Sequence, residues 1–489
     1  MSLGTFVKRI RDIMWKDAGI NGDAQRIEQM TWMLLLKAYD AKEEEWETLN
    51  PSYVPSVPEK YRWRTWAVDN KDGKVLTGDA LLNFVNNELF PAMKNLEIDE
   101  TSPMSKIIIK TAFEDCNNYS KDGILLRQVV NIIDELDFED YSDRHAFGEI
   151  YESILKSLQS AGSSGEFYTP RAVTDFMAQT IAPKLGERVA DFACGTGGFL
   201  TSALKLLDSQ VKSVEDKEVY NNSVYGIEKK PLPYLLCVTN MLLHDIDNPS
   251  VFHKNTLEME LRCKEDDRFD VVLMNPPFGG NEKEGIKINF PADLRSSETY
   301  DLFMTVIMYR LKKRGRAAVI IPDGFLFGTD NAKVAIKKKL LEEFNLHTVL
   351  RMPHSVFSPY ASITTNILFF EHSQPTTETW FYRMDMPDGY KHFSKTKPMK
   401  LEHFASAFEW WNDREEITID GFDKAKCYKT QELIDRNYNI DLCGFPHEEE
   451  EILPPRELIQ QYQEKRASLN ADIDRILADI EAILGEEPE

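Results

Sequence analysis

The chain of 489 residues is poor in cysteine, with six: Cys116, Cys194, Cys237, Cys263, Cys427 and Cys443. None stands in a C-x-x-C pair or at a short metal-ligand spacing. That argues against a disulfide framework and a zinc finger, and no metal site is expected. Reduced thiols in a cytoplasmic setting are expected instead. Long apolar runs are also lacking. The longest, such as Ala317 to Pro322, are far too short to span a bilayer, and the first residues carry no signal-peptide apolar region, so no membrane partner is expected. Positive charge is scarce: 58 Lys and Arg stand against 81 Asp and Glu, a net charge of −23. Bulk charge does not hold such a chain on nucleic acid; a local basic face or a partner must supply phosphate contacts. What is present is globular material, 42% hydrophobic and 28% charged, which excludes wholesale disorder and suits two to four domains.

Three regions are expected along the chain. Residues 1–155 read as a helical domain. Phe6, Ile10, Ile13 and Met14 recur at helical spacing, a second helix runs from Asp23 to Tyr39, and more follow at Ala80 to Leu89 and Leu126 to Leu136. Residues 156–400 change pattern. Strand-length apolar runs at 188–192, 223–228, 269–274, 315–321, 347–350 and 365–370 alternate with helical stretches such as 302–311. This predicts an α/β fold with a doubly wound, mostly parallel sheet covered on both faces. Residues 401–489 read as a C-terminal helical region and tail, with a helix and turn over 397–425. In the acidic tail, Leu469, Ile473, Ile476, Ile480 and Ile483 are spaced by four, three, four and three, a helix-pairing seam that needs a second helix from this chain or from a partner.

Three motifs sit at strand ends. In Val189-Ala190-Asp191-Phe192-Ala193-Cys194-Gly195-Thr196-Gly197-Gly198, an apolar strand ends in an acid and a glycine turn, followed by a helix. The turn suits a nucleotide-like ligand approaching the backbone, and Asp191 is placed to hold an ammonium group. No Lys-Ser/Thr follows the glycines, so this is not a Walker phosphate loop. In Val224-Tyr225-Gly226-Ile227-Glu228 a second strand ends in an acid, the position from which a carboxylate bonds ribose hydroxyls. It lies 37 residues beyond Asp191, an interval lengthened by polar residues 209–222 that read as a loop insertion. Asp245 or Asn255 is a candidate for the adenine ring. In Asp270 to Met274 followed by Asn275-Pro276-Pro277-Phe278-Gly279, a buried strand runs into a stiff turn. The Asn275 side-chain oxygen and the Pro276 carbonyl can accept both hydrogens of a substrate N–H₂ group, and Phe278 can stack on a flat ring.

Together these residues resemble the modification (M) subunits of type I restriction–modification systems, which are DNA adenine-N6 methyltransferases. The likeness rests on Asn275 to Phe278, on the loop Asp191 to Gly198 (with Phe192 where many relatives have proline), and on Glu166-Phe167-Tyr168-Thr169-Pro170-Arg171. It extends over nearly the whole chain, including the Ile13-Met14-Trp15 and Leu34 to Lys37 stretches. The resemblance implies a fold of the S-adenosylmethionine-dependent methyltransferase type. It implies S-adenosyl-L-methionine as cofactor, with Glu166, Phe167, Tyr168, Thr169, Pro170 and Arg171 closing over its methionine part beside Asp191, Ala193, Gly195, Thr196, Gly197, Gly198 and Glu228. It also implies duplex DNA, a specificity (S) subunit, a second M subunit in an M2S core and a restriction (R) subunit as partners.

On this reading the exocyclic amine of a flipped-out adenine attacks the methyl group directly, held by Asn275 and Pro276, with Pro277 stiffening the turn. The strand end offers no Pro-Cys nucleophile for cytosine-C5 chemistry. Lys229, Lys230, Arg295 and Arg351 are candidates for phosphate contact or for ordinary surface charge. Asn-Pro-Pro-Phe also fits protein-glutamine N5 methylation and N4-cytosine methylation, and a non-catalytic scaffold role is a further alternative.

Overall fold

A computed structural model describes residues 3–69, 75–136, 151, 154–155, 168–358, 363–394, 397–446 and 455–484. The first region is helical. Helix Leu3–Met14 buries Phe6, Ile10 and Met14. Helix Gly22–Leu49 buries both its faces from Met30 to Leu36, so it forms the centre of the region and is no surface helix. Helix Gly123–Asp134 starts where the Asp122 carboxylate accepts from the N–H groups of Ile124 and Leu125 at 2.8 and 3.0 Å, satisfying first-turn donors.

Ten strands follow: β1 (Val189–Asp191), β2 (Val224–Glu228), β3 (Ser250–His253), β4 (Phe269–Met274), β5 (Leu311–Pro322), β6 (Asn345–Arg351), β7 (Thr365–Glu371), β8 (Glu378–Arg383), β9 (Ile417–Ile419) and β10 (Phe422–Lys429). They form one sheet in the order β3-β2-β1-β4-β5-β7-β6-β8-β10-β9. The first five are mutually parallel, and β7 runs antiparallel between β5 and β6. The order reverses between β1 and β4, which opens a crevice at their carboxyl ends. Both faces are covered, as the alternation within β4 shows: Val272 and Met274 enter one core, Val271 and Leu273 the other.

The helical region and the sheet share a core. Leu200, Leu204 and Leu207 of helix Gly198–Asp208, and Leu235, Val238 and Leu242 of helix Pro231–Leu243, pack in one cluster with Trp32, Leu35 and Ile133. The buried Tyr151 hydroxyl donates to the Leu236 carbonyl at 2.9 Å.

The structure corrects several expectations. The polar insertion at 209–222, expected as a loop, holds helix Val214–Asn221. Ser213 caps it, its hydroxyl accepting from the Asp216 N–H while the Asp216 carboxylate accepts from the Ser213 N–H, both at 3.1 Å. The expected helix and turn over 397–425 is helix Ala405–Asn412 followed by a β9–β10 hairpin, closed by Asp420 and Gly421 at φ 51° and 82°. The hairpin pairs through β10 with β8, so the residues up to 444 form one compact unit and 445–489 a second. The second unit carries helix Pro455–Leu484, with Leu469, Ile473, Ile476 and Ile480 about half exposed. Ile483 lies outside the residues whose side chains are described.

Candidate active site

The crevice between β1 and β4 is a cavity of about 820 Å³. Three strand ends supply much of its lining. From β1 and the following turn come Asp191, Phe192, Ala193, Cys194, Gly195, Thr196 and Gly198; from β2, Glu228; from the end of β4, Asn275, Pro276, Pro277 and Phe278. Tyr168 and Thr169 close one side. The glycine turn is shaped by its left-handed backbone: Gly197, at φ 81°, precedes the helix, and a Cβ there would lie 2.9 Å from the Cys237 sulfur.

Asp191 and Glu228 are the buried acids of the cavity; a third, Glu282, pairs with Lys229. Glu228 Oε2 accepts from the Gly195 N–H at 2.9 Å and Oε1 from the Lys230 N–H at 2.7 Å. Asp191 Oδ1 accepts from the Ala193 N–H at 3.1 Å. Burial pushes both carboxyls above their ordinary range, most strongly Asp191; the backbone N–H groups on Glu228 work against that rise. Neither makes an ion pair among the described residues. Their spare lone pairs are therefore available for hydroxyl or ammonium donors of a ligand.

At the opposite wall, the Asn275 Nδ2 group donates to Thr169 Oγ1 at 3.1 Å, while Oδ1 is buried with no hydrogen-bond partner. A buried acceptor left open is expensive unless a ligand supplies the donor. The turn beyond it is braced by the Thr299 hydroxyl, 2.9 Å from the Gly279 carbonyl and 3.3 Å from that of Pro277. The Phe278 ring stands edge-on to Phe357 at 5.9 Å and faces the same cavity as Glu228.

Other expected residues lie elsewhere. Pro170, Arg171 and Gly197 are not among the residues that line the cavity; Arg171 packs so closely on Gly198 that a Cβ there would sit 2.0 Å from the guanidinium. Glu166 and Phe167 lie outside the described residues. Asp245 is not at the cavity. The helix Pro231–Leu243 runs back from the carboxyl edge of β2, so Asp245 ends up at the far edge, where it pairs with Lys42 at 2.8 Å. Asn255, which follows β3, returns to the cavity with Lys254 and Thr256. A polar residue two positions past a strand end is the signal that favours Asn255 over Asp245.

Among the cationic candidates, Lys229 and Lys230 line the cavity, and Lys229 pairs with Glu282 at 2.7 Å. Arg295 is used by the Phe290 carbonyl at 2.9 Å, and Arg351 is buried between Asp323 and Asp441. Among the described residues no cluster of side chains could hold a metal ion, and no helix is long and apolar enough to cross a membrane.

The strand order and the site define a methyltransferase-type α/β fold, and comparison with known proteins narrows it. The N-6 DNA Methylase family matches residues 142–451, and the HsdM N-terminal domain family matches residues 3–133. The chain is 49% identical over 478 residues to the Type I restriction enzyme EcoEI methylase subunit of Escherichia coli, covering 96% of each chain. It is 29% identical to the StySPI methylase subunit of Salmonella potsdam, over 71% of this chain and 66% of that one. A solved chain from a study of complex assembly and conformational transition in the type I R-M system superposes with a TM-score of 0.81 at 33% identity, covering 99% of both. The chain belongs to the N-6 DNA methylases and, within them, to the methylase subunits of type I restriction enzymes.

Proposed function

We propose that this chain transfers a methyl group from S-adenosyl-L-methionine to N6 of adenine in duplex DNA, as the modification subunit of a type I restriction–modification complex. The observation that carries this reading is the open, buried Asn275 Oδ1 in the same cavity as Glu228 and the glycine turn. The residues fit the cofactor: Glu228 offers two carboxylate oxygens to ribose hydroxyls, the 193–198 turn offers close backbone approach, and Asp191 faces the amino-acid end beside Tyr168 and Thr169. Of the two candidates for the adenine side, Asp245 and Asn255, Asn255 takes that position. When bound, S-adenosyl-L-methionine supplies an electrophilic methyl group.

The protein's part is orientation. Asn275 Oδ1 and the Pro276 carbonyl accept the two hydrogens of the adenine amine, which draws its lone pair out of the ring plane. Phe278 packs on the base and the prolines keep the turn rigid. So held, the amine nitrogen would be free to take the methyl group that the cofactor would supply, with its surplus proton passing to solvent.

Duplex DNA, a specificity subunit, a second modification subunit and a restriction subunit are the proposed partners, in keeping with the net charge of −23, which leaves phosphate contact largely to other chains. The exposed 469–480 seam is the proposed surface for the specificity subunit. Six free cysteines suit the cytoplasm, where we place the complex.

The test is methyl transfer by the complex of this chain with its specificity subunit, with the modified base mapped. N6-methyladenine in DNA is expected, falling at least about 10²-fold in N275A with cofactor binding retained. Transfer to a release-factor glutamine with none to DNA, or an undiminished rate in N275A, overturns the reading.

A further inference from the structure

The two prolines of the substrate turn fix their own backbone angles and nothing beyond them. Phe278 is followed by two exposed glycines, of which Gly280 sits at φ 104°. Regular structure resumes only at helix Glu284–Lys287. Among the described residues, no backbone–backbone hydrogen bond involves 277–282. The stiffness of Asn-Pro-Pro therefore does not by itself keep the Phe278 ring in place. What the structure shows holding that backbone is the Thr299 hydroxyl, 2.9 Å from the Gly279 carbonyl and 3.3 Å from that of Pro277.

A hydroxyl can donate or accept, but a carbonyl only accepts, so the direction of both contacts is fixed. Thr299 donates, and its one proton is shared between carbonyls on either side of Phe278. The support is rigid. Thr299 opens helix Thr299–Arg310, in which every residue as far as Met308 is buried. Leu302, Met304 and Ile307 of that helix share a core with Val272 and Met274 of β4, the strand that leads into Asn275. Hydroxyl and strand end are thus carried by one packed body, as a geometric constraint on a reacting group requires. Gly279 itself is exposed, so water can replace the hydroxyl at its carbonyl. Losing the bond should cost the fold little and the turn its fixed place.

We propose that Thr299 is a positioning residue for methyl transfer: its hydroxyl grips the turn on both sides of Phe278 and so holds that ring against the base whose amine Asn275 and Pro276 receive. The proposal rests on the reading of the turn given above and adds what keeps its outer half in place. Thr299 acts through the backbone of the turn, and the hydroxyl, not the bulk of the side chain, is the working part. T299S keeps the donor, and T299V removes it at nearly constant volume.

The experiment uses the complex with its specificity subunit and a duplex carrying its methylation site. Single-turnover methylation is measured at saturating S-adenosyl-L-methionine and saturating complex for the parent, T299V, T299S, F278A, the double variant F278A/T299V, and N275A. T299V is expected to be about tenfold slower than the parent, the effect of one hydrogen bond, and T299S to restore the rate. In the F278A background the ring to be positioned is gone, so adding T299V should slow the reaction less than about threefold, the mark of two residues acting as one unit. If T299V keeps the parent rate while N275A loses it, the proposal for Thr299 is wrong and the reading of the site stands. If N275A keeps the rate, that reading falls and the proposal with it. A loss in T299V that recurs in full on F278A, or that T299S does not restore, puts the action of Thr299 elsewhere and overturns the proposal. T299A takes the place of T299V should the valine variant not fold; failure of both to fold makes the residue structural and overturns it too.

Discussion

Along one edge of the sheet, two regions treat acids in opposite ways. At the ends of β1 and β2, Asp191 and Glu228 receive only backbone N–H groups. A few strands away, at the ends of β5 and β6, Asp323 is held by Arg351 at 2.9 Å and Asn366 at 2.7 Å, and nearby the fully buried Asp301 is held by Lys333 at 3.0 Å and Ser296 at 2.5 Å. The second arrangement is what a fold does with an acid it needs for its own integrity, since an uncompensated buried charge is costly. The first leaves that cost standing and keeps lone pairs open. The difference separates an edge built to receive something from an edge built to hold itself together.

Substitutions at both places test this division. E228A removes both carboxyl acceptors from the receiving side. It should weaken cofactor binding at least about 10²-fold, from two hydrogen bonds of roughly 1.5 kcal/mol or more each, read by calorimetry on the purified chain. A loss below fivefold would place the ribose elsewhere. D301N acts on the other side, where it removes the buried one of the two carboxylates that hold Lys333 and leaves Asp330 at 3.2 Å. At most about 3 kcal/mol of stability should disappear, seen as a lower denaturant midpoint, with cofactor affinity unchanged in the folded protein.

The smallest effect should come from D191N, and its sign is the informative part. Burial raises the Asp191 carboxyl above its unfolded value. Its contribution to stability is therefore fully present below the unfolded value and is lost as pH rises through the folded one. Above that folded value the charge is a burden, so D191N should raise the melting temperature of the free chain at the alkaline end by about 1–3 °C and flatten its dependence on pH while weakening the cofactor. A drop in melting temperature at the alkaline end would make Asp191 a structural acid like Asp301.

Much of the site could be read before the fold was known, because its parts are local. A strand that ends in an acid and a glycine turn, and one that ends in Asn-Pro-Pro-Phe, announce themselves within ten residues. Their meeting in one cavity follows from the reversal of strand order between β1 and β4. The failures have two sources. Some signals were present and went unused: Asp420-Gly421 between two short apolar runs marks a hairpin, and Ser213 with Asp216 marks a helix start. Others had no local sign. That Asp245 turns toward Lys42, 203 residues earlier, depends on which edge of the sheet a helix runs back to. The bond between Thr169 and Asn275 joins two segments that nothing in either one relates.

The core shared by the first helices and by helices Gly198–Asp208 and Pro231–Leu243 bears on how this enzyme can be taken apart. The same helix that starts at the glycine turn rests its other side on Trp32, Leu35 and their neighbours. Cutting the gene near residue 136 would not release a minimal catalyst. It would uncover an oily flank on the very element that shapes the nucleoside pocket, and the fragment would clump before it could be assayed. Shuffling of front and back halves between distant relatives should fail for the same reason, unless both sides of that seam are exchanged together.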